Sequence, residues 1–177
     1  PGLVARLMMD GAVPGFAAYE TALAQYPGWR IEDECAGTDM LYSSGTTGRP
    51  KGVFTPPANQ QIDVPGSLVL MCQSLYQFGT DTRYLSPAPL YHAAPLRYNM
   101  AVQQLGGTSV VMEHFDAQAF LRLLAQHRIT HTQVVPTMFS RMLKLPEDVR
   151  LRHDVSSLRF AVHAAAPCPA AVKEQMI

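Results

Sequence analysis

Long apolar runs are missing from this sequence. The longest are short pieces such as residues 68–72, far below the roughly 20 residues that cross a bilayer, so no transmembrane segment is expected. A charge excess is missing as well. Fourteen Lys and Arg balance 14 Asp and Glu, and the pI is near 7.4, which leaves no electrostatic footprint for nucleic acid or an anionic membrane. Cysteine is scarce: Cys35, Cys72 and Cys168 are odd in number, far apart and without a CxxC pair. That pattern argues against a disulfide framework and against a zinc site, and it fits a reducing, cytoplasmic setting. His127, His131 and His153 have no metal-like spacing, so no metal ligand is assigned. Internal repeats and low-complexity tracts are absent. The sequence begins at Pro1 with neither an initiator Met nor a basic-then-apolar leader, and it stops at Ile177 within a helical pattern; both ends read as cuts.

What is present suffices for a globular core: 177 residues, 47% of them hydrophobic, enough for one domain or slightly more. Residues 16–25 read as an Ala- and Leu-rich helix closed by Pro27-Gly28. Met40, Leu41 and Tyr42 read as a short buried strand, and 43–52 as a loop of small hydroxyl residues and glycines unsuited to a helix or strand interior. Leu68, Met71, Cys72, Leu75 and Tyr76 recur at helical spacing within 66–78. Strands are then expected at 84–86, 109–112, 132–135 and 159–163. Helices are expected at 96–104, 116–127 (capped by Asp116), 137–143 and from Pro169 onward. Alternating strands and helices imply an α/β fold, a mostly parallel sheet with helices on both faces. Met100, Met112, Met138 and Met142 read as core filler.

The segment Tyr42-Ser43-Ser44-Gly45-Thr46-Thr47-Gly48-Arg49-Pro50-Lys51-Gly52 suits a polyphosphate. Its glycines let backbone N–H groups converge on phosphate oxygens, four hydroxyls add donors, and Lys51 adds positive charge, with Arg49 a second cation. It is not a P-loop, because G-x4-G-K-[ST] would need Gly where Pro50 stands, five positions after Gly45. The composition alone also fits an ordinary Gly/Ser/Thr surface loop.

The full string resembles the phosphate-binding signature of the adenylate-forming (AMP-binding) superfamily, [YF]-[TS]-S-G-T-T-G-x-P-K-G, and matches it at every position. Pro89-Leu90-Tyr91-His92 is similar to that family's P-x-[FY]-H segment beside the acyl pocket and the nucleotide. Gly106-Gly107-Thr108 through Phe115-Asp116, the helix that follows, and Val134-Val135-Pro136-Thr137-Met138 resemble its central strand-helix-strand region. His163-Ala164-Ala165-Ala166-Pro167 resembles its G-[GA]-A-P strand end, near adenosine and acyl group. The Ala-rich form of that last motif is most similar to the long-chain fatty acyl branch.

The resemblance implies an acyl-CoA synthetase-like N-terminal adenylation domain, present in part over 1–177, with the phosphate loop at 42–52 and an α/β subdomain at about 66–177. It implies ATP, Mg²⁺ and CoA as participants and a carboxylic, fatty acid as substrate. The carboxylate attacks the α-phosphate of ATP to give acyl-adenylate and pyrophosphate, and the CoA thiol then displaces AMP. Lys51, Thr46, Thr47 and His92 are the implied catalytic residues. Ser43, Ser44, Gly45, Thr46, Thr47, Gly48, Lys51, Ala164, Ala165 and Pro167 are the implied nucleotide contacts. Tyr91, His92, His114 and His163 are the implied acyl and CoA contacts. Tyr91 reads equally well as core packing, and alanines near His163 as close helix–sheet approach.

Two positions depart from the pattern: Ala164 stands where the family commonly has Gly, and His114 where many CoA ligases have a Lys. The family's later Y-G-x-T-E segment with its magnesium-linked Glu, its ribose-binding Asp, and the small C-terminal domain with its catalytic Lys have no counterpart here. The 177 residues alone are therefore expected to be inactive, Mg²⁺ to be bound mainly by other parts, and uncovered apolar surface to favour self-association. A luciferase-like or carrier-protein-loading adenylating enzyme, and a non-catalytic nucleotide-binding module, are the alternative readings.

Overall fold

The computed structural model describes residues 4–43, 48–57 and 60–177. A parallel pair of two-residue strands, β1 (Leu7–Met8) and β2 (Ala17–Ala18), leads into α1 (Tyr19–Leu23). An antiparallel hairpin follows, β3 (Leu41–Ser43) with β4 (Lys51–Val53). From there helices and strands alternate: α2 (Ser67–Tyr76), β5 (Arg83–Ser86), α3 (Ala93–Gln104), β6 (Thr108–Val111), α4 (Ala117–Gln126), β7 (His131–Val134), α5 (Pro136–Leu143), α6 (Glu147–Leu151), β8 (Phe160–His163) and α7 (Ala170–Met176).

The last four strands form one parallel sheet in the order β6-β5-β7-β8. Successive side chains of a strand point to opposite faces, and in β5 both directions are buried: Tyr84 is 1% exposed and Leu85 0%. Tyr84 packs with Val69 and Cys72 of α2 and Tyr98, Ala101 and Val102 of α3. Leu85 packs on the other side with Phe120 and Leu124 of α4 and Met138, Phe139 and Met142 of α5. A parallel sheet with covered faces is the architecture its βαβ crossovers require, and the expected α/β fold is the one observed. Asp116 caps α4 as expected, its carboxylate accepting the Ala119 N–H at 2.7 Å. Between α3 and β6, Gly107 lies so close to Val102 and the Thr82 carbonyl that an added Cβ would come within 2.9 Å and 3.0 Å of them.

Several expectations need correction. The strand at 40–42 is not buried: β3 pairs only with β4, and Met40 and Tyr42 are exposed. The 43–52 segment is not loop throughout, because Ser43, Lys51 and Gly52 belong to the paired strands. The helix at 16–25 shrinks to five residues after a strand, with Leu23 and Tyr26 exposed; Ala-rich composition alone gives no buried face to hold a longer one. Helix α3 starts three residues earlier than expected, because Pro95 falls in the first turn, where its missing N–H costs nothing. Leu75 and Met100 point outward, and α6 was not foreseen.

His131, given no role by its spacing, is a core residue. Nε2 lies 2.7 Å from the Tyr76 carbonyl, Nδ1 lies 2.7 Å from Thr130 Oγ1, and the ring stacks on Phe160. A carbonyl can only accept, so Nε2 carries the proton and Nδ1 accepts from the hydroxyl. Burial lowers the pKa of this imidazole below its ordinary value of 6.5, partly offset by the bond to Tyr76. The unfolded chain therefore takes up the proton first as pH falls. Stability from the neutral ring is complete above about pH 6.5 and declines below it. Denaturant unfolding at about pH 7.5 and about pH 5.5 should show a larger loss for the native sequence than for His131→Gln; equal losses would refute the assignment.

Candidate active site

The winding of the sheet locates the site. From β5 the chain crosses to β6 on one side, and from β7 it crosses to β8 on the other. The winding direction thus reverses between the neighbours β5 and β7, and ligands of open α/β sheets bind beyond the carboxyl ends of strands at such a point. A cleft of about 380 Å³ opens there, lined by Ala88, His92, Ala93, Ala94, Pro95, Gln133, Val135 and Ala165. Its walls are the turn after β5, the first turn of α3, the end of β7 and the turn after β8. Nearly all are small or apolar groups, with His92 at the rim and Gln133 as the one amide.

A second cleft of about 300 Å³ lies between the hairpin and the same turn. It is lined by Asp39, Met40, Leu41 and Tyr42 on one side and Leu90, Tyr91, His92, Ala93 and Leu96 on the other. His92 and Ala93 line both clefts. His92 is the N-cap of α3, its carbonyl accepting the Leu96 N–H at 3.2 Å and its own N–H donating to Pro89 at 3.1 Å. Its ring stands 4.5 Å from that of Tyr91, which is 83% exposed and so does not pack in the core.

Two polar contacts hold these parts together. Arg97 of α3 donates to Asp39 at 2.8 Å and 3.0 Å, tying the approach to β3 onto the helix that carries His92. The pair is partly exposed, so its effect is on position more than on stability. Beneath the first turn of α3, the buried Asn99 amide donates to Ser86 Oγ at 2.8 Å and to the Pro95 carbonyl at 2.7 Å. Asn99 Oδ1 is sealed in without a partner among the described residues.

Among the other anticipated residues, Ser44, Gly45, Thr46 and Thr47 lie outside the described residues. Ser43 pairs with Lys51 across the hairpin. Lys51 and Arg49 are exposed and form no ion pair among the described residues. Gly48 has φ +87°, and the Tyr42 ring lies over Gly52, where a Cβ would meet it at 3.1 Å. Ala165 holds φ +72°, a left-handed conformation costly for any residue with a Cβ and frequent where function imposes strain. Ala164 is half-buried, its N–H bonded to Val134 at 3.1 Å, and Pro167 is exposed. His163 lines neither cleft: it faces Phe139 on the opposite side of the sheet, with Nδ1 unpartnered. His114 is exposed beyond the edge strand β6 and is also outside both clefts.

The described residues contain no cluster of three His, Cys, Asp or Glu groups, and Asp39, the carboxylate at the hairpin cleft, is engaged by Arg97. No helix of the described residues is long and apolar enough to cross a membrane.

Comparison with known proteins accords with this geometry. The sequence matches the AMP-binding enzyme family over residues 19–177. It is 32% identical over 171 residues to 4-chlorobenzoate–CoA ligase of Pseudomonas sp. (strain CBS-3), covering 96% of this chain and 31% of that protein. Its fold is similar to ATP-bound MatB from Rhodopseudomonas palustris, with TM-score 0.59 and 28% identity over 82% of this chain and 27% of the other. The inhibitor-bound N-terminal domain of FACL13 from Mycobacterium tuberculosis matches at TM-score 0.69 and 25% identity, over 93% of this chain and 42% of that one. The fold is that of the adenylate-forming class. The chain belongs to the AMP-binding enzyme family, and it spans about a third of the length of the curated relative it resembles.

Sequence reasoning missed Asn99, Ser86, Arg97 and Gln133. The available signal was a polar residue interrupting an apolar periodic segment, as Asn99 and Gln133 both do. Replacing Asn99 with Ala leaves Ser86 and the Pro95 carbonyl without their donor, and should cost about 2 kcal/mol in denaturant unfolding. A loss below about 0.5 kcal/mol would mean that the clamp does not hold α3.

Proposed function

We propose that this chain supplies the phosphate-gripping hairpin and the acyl cleft of an ATP-dependent, AMP-forming acyl-CoA synthetase. One observation carries the reading: His92 and Ala93 form the shared wall between the cleft at the hairpin and the apolar cleft at the switch point. Adenylation joins a charged reactant to an apolar one, and two adjoining chambers that share one wall suit that reaction.

In this reading the segment 42–52 surrounds the β- and γ-phosphates, and Lys51 opposes the charge that develops on departing pyrophosphate. The exposed Lys51 and Arg49, free of carboxylate partners among the described residues, support that assignment. Thr46, Thr47, Ser43, Ser44, Gly45 and Gly48 complete the phosphate contacts, and Ala164, Ala165 and Pro167 border the adenosine. His92 and Tyr91 separate the nucleotide from the acid and orient the carboxylate toward the α-phosphate. His114 and His163 take the acyl or CoA side only if further chain brings substrate to them. Mg²⁺ is held mainly by parts outside residues 1–177. The acid is carboxylic, with a fatty acid favoured by the Ala-rich turn after β8, and CoA is the acceptor. The domain is then a partial N-terminal adenylation domain, inactive without the residues that hold Mg²⁺ and ribose.

The test is pyrophosphate exchange with ATP, with and without carboxylic acids, by the protein carrying this chain. Lys51→Ala should lower the rate about 100-fold while leaving the KM for the acid nearly unchanged. An undiminished rate would remove Lys51 from the chemistry, and exchange by the 177 residues alone would overturn their proposed dependence on further residues.

A further inference from the structure

Gln133 is the feature of the apolar cleft that packing does not explain. It is 2% exposed, near the end of β7, in a lining otherwise made of alanines, Pro95, Val135 and His92. A hydrocarbon side chain there would cost no desolvation, so a buried amide calls for a partner for each of its polar atoms.

One end has its partner: Nε2 donates to the Val134 carbonyl at 2.9 Å. Because a carbonyl only accepts, this contact fixes which end of the amide is nitrogen. The other end, Oε1, accepts no hydrogen bond from a described residue, and it is not among the side-chain atoms sealed away without a partner. It is an acceptor held by a strand on a cleft wall. Asn99, buried on the same face of the sheet, spends both of its amide hydrogens on Ser86 Oγ and the Pro95 carbonyl, and Ser86 forms no hydrogen bond to Gln133. His92 stands at the rim of the same cleft.

We infer that Gln133 is a specificity-determining residue: the cleft takes a carboxylic acid whose apolar body carries a hydrogen-bond donor, a hydroxyl group above all, which donates to Gln133 Oε1. The inference rests on the adenylation reading given above and names its substrate class. A purely hydrocarbon acid would fill the alanine-lined volume but leave the amide oxygen desolvated and unpaired, and a site built to bond a hydroxyl discriminates against the analogue lacking it.

The experiment compares acids matched in size that differ only in the donor, 4-hydroxybenzoate against 4-methylbenzoate and an ω-hydroxyalkanoate against the alkanoate one carbon longer. Pyrophosphate release by the protein carrying this chain is measured together with direct calorimetric binding of each acid. The hydroxylated member of at least one pair should be favoured about tenfold in kcat/KM and in binding. Gln133→Met, similar in length and shape but without the acceptor, should level or reverse that preference while leaving the KM for ATP unchanged; a thermal melt confirms that the variant is folded. The comparison within the native protein needs no variant. Equal or reversed preference in the native protein, or a preference that survives Gln133→Met, overturns the inference while turnover leaves the adenylation reading standing. Preferential binding of the hydroxylated acid without pyrophosphate release sinks the adenylation reading and retains the assignment of Gln133. Neither binding nor turnover removes both.

Discussion

The parallel pairing of β5 with β7 is the constraint on which the rest of this structure depends. Had β6 stayed between them in space as it does in sequence, the chain would wind in one direction and helices would cap the strand ends uniformly. Inserting β7 on the far side of β5 sends the two crossovers apart. The gap between them is where the turn after β5, the head of α3 and the turn after β8 meet around an open space. Burial on both faces keeps that pairing in register. Tyr84 and Leu85 commit to opposite cores, and a slip of one residue would exchange them.

Helix α3 turns this backbone arrangement into a site. Its first turn is pinned from below by Asn99 to Ser86 and Pro95, its flank holds Asp39 through Arg97, and its N-cap is His92. One rigid element therefore sets the distance between the hairpin and the apolar cleft. A site placed on a helix seated on a sheet is defined more sharply than one made of loops alone. The hairpin contributes exposed cations and the sheet contributes an apolar wall, on either side of His92 and Ala93.

Much of this was legible in the residues. The α/β class, the four strands of the main sheet and the Asp116 cap follow from local patterns that agree with the tertiary structure. The segment 42–52 was singled out by its string, and its flanks are strand because pairing between Leu41–Ser43 and Lys51–Val53 overrode the low strand propensity of glycine. The part of the chain before residue 66 was read least well. It has few buried residues, and without a buried face neither the Ala-rich helix nor the Met40 strand had a tertiary reason to form as expected. For the site, the motif pointed to Tyr91 and His92, but a motif cannot report which face of a strand its end presents. His163 and Ala165 are two residues apart in one motif, yet only Ala165 reaches the cleft. Asn99 and Gln133 escaped because their meaning lies in what surrounds them across the sheet.

The four alanines of the cleft, Ala88, Ala93, Ala94 and Ala165, have a consequence for recognition. None has a side-chain torsion to adjust, so this wall has the shape of its backbone. A ligand that enters freezes no rotamers there and loses no affinity to side-chain ordering. The same property makes the wall unaccommodating, since it cannot repack around a differently shaped guest. A change in the size of guest accepted must then come by substitution. Such a change is least costly at positions 93 and 94, because Ala88 is packed in the buried core and the left-handed backbone at Ala165 disfavours any larger, branched residue.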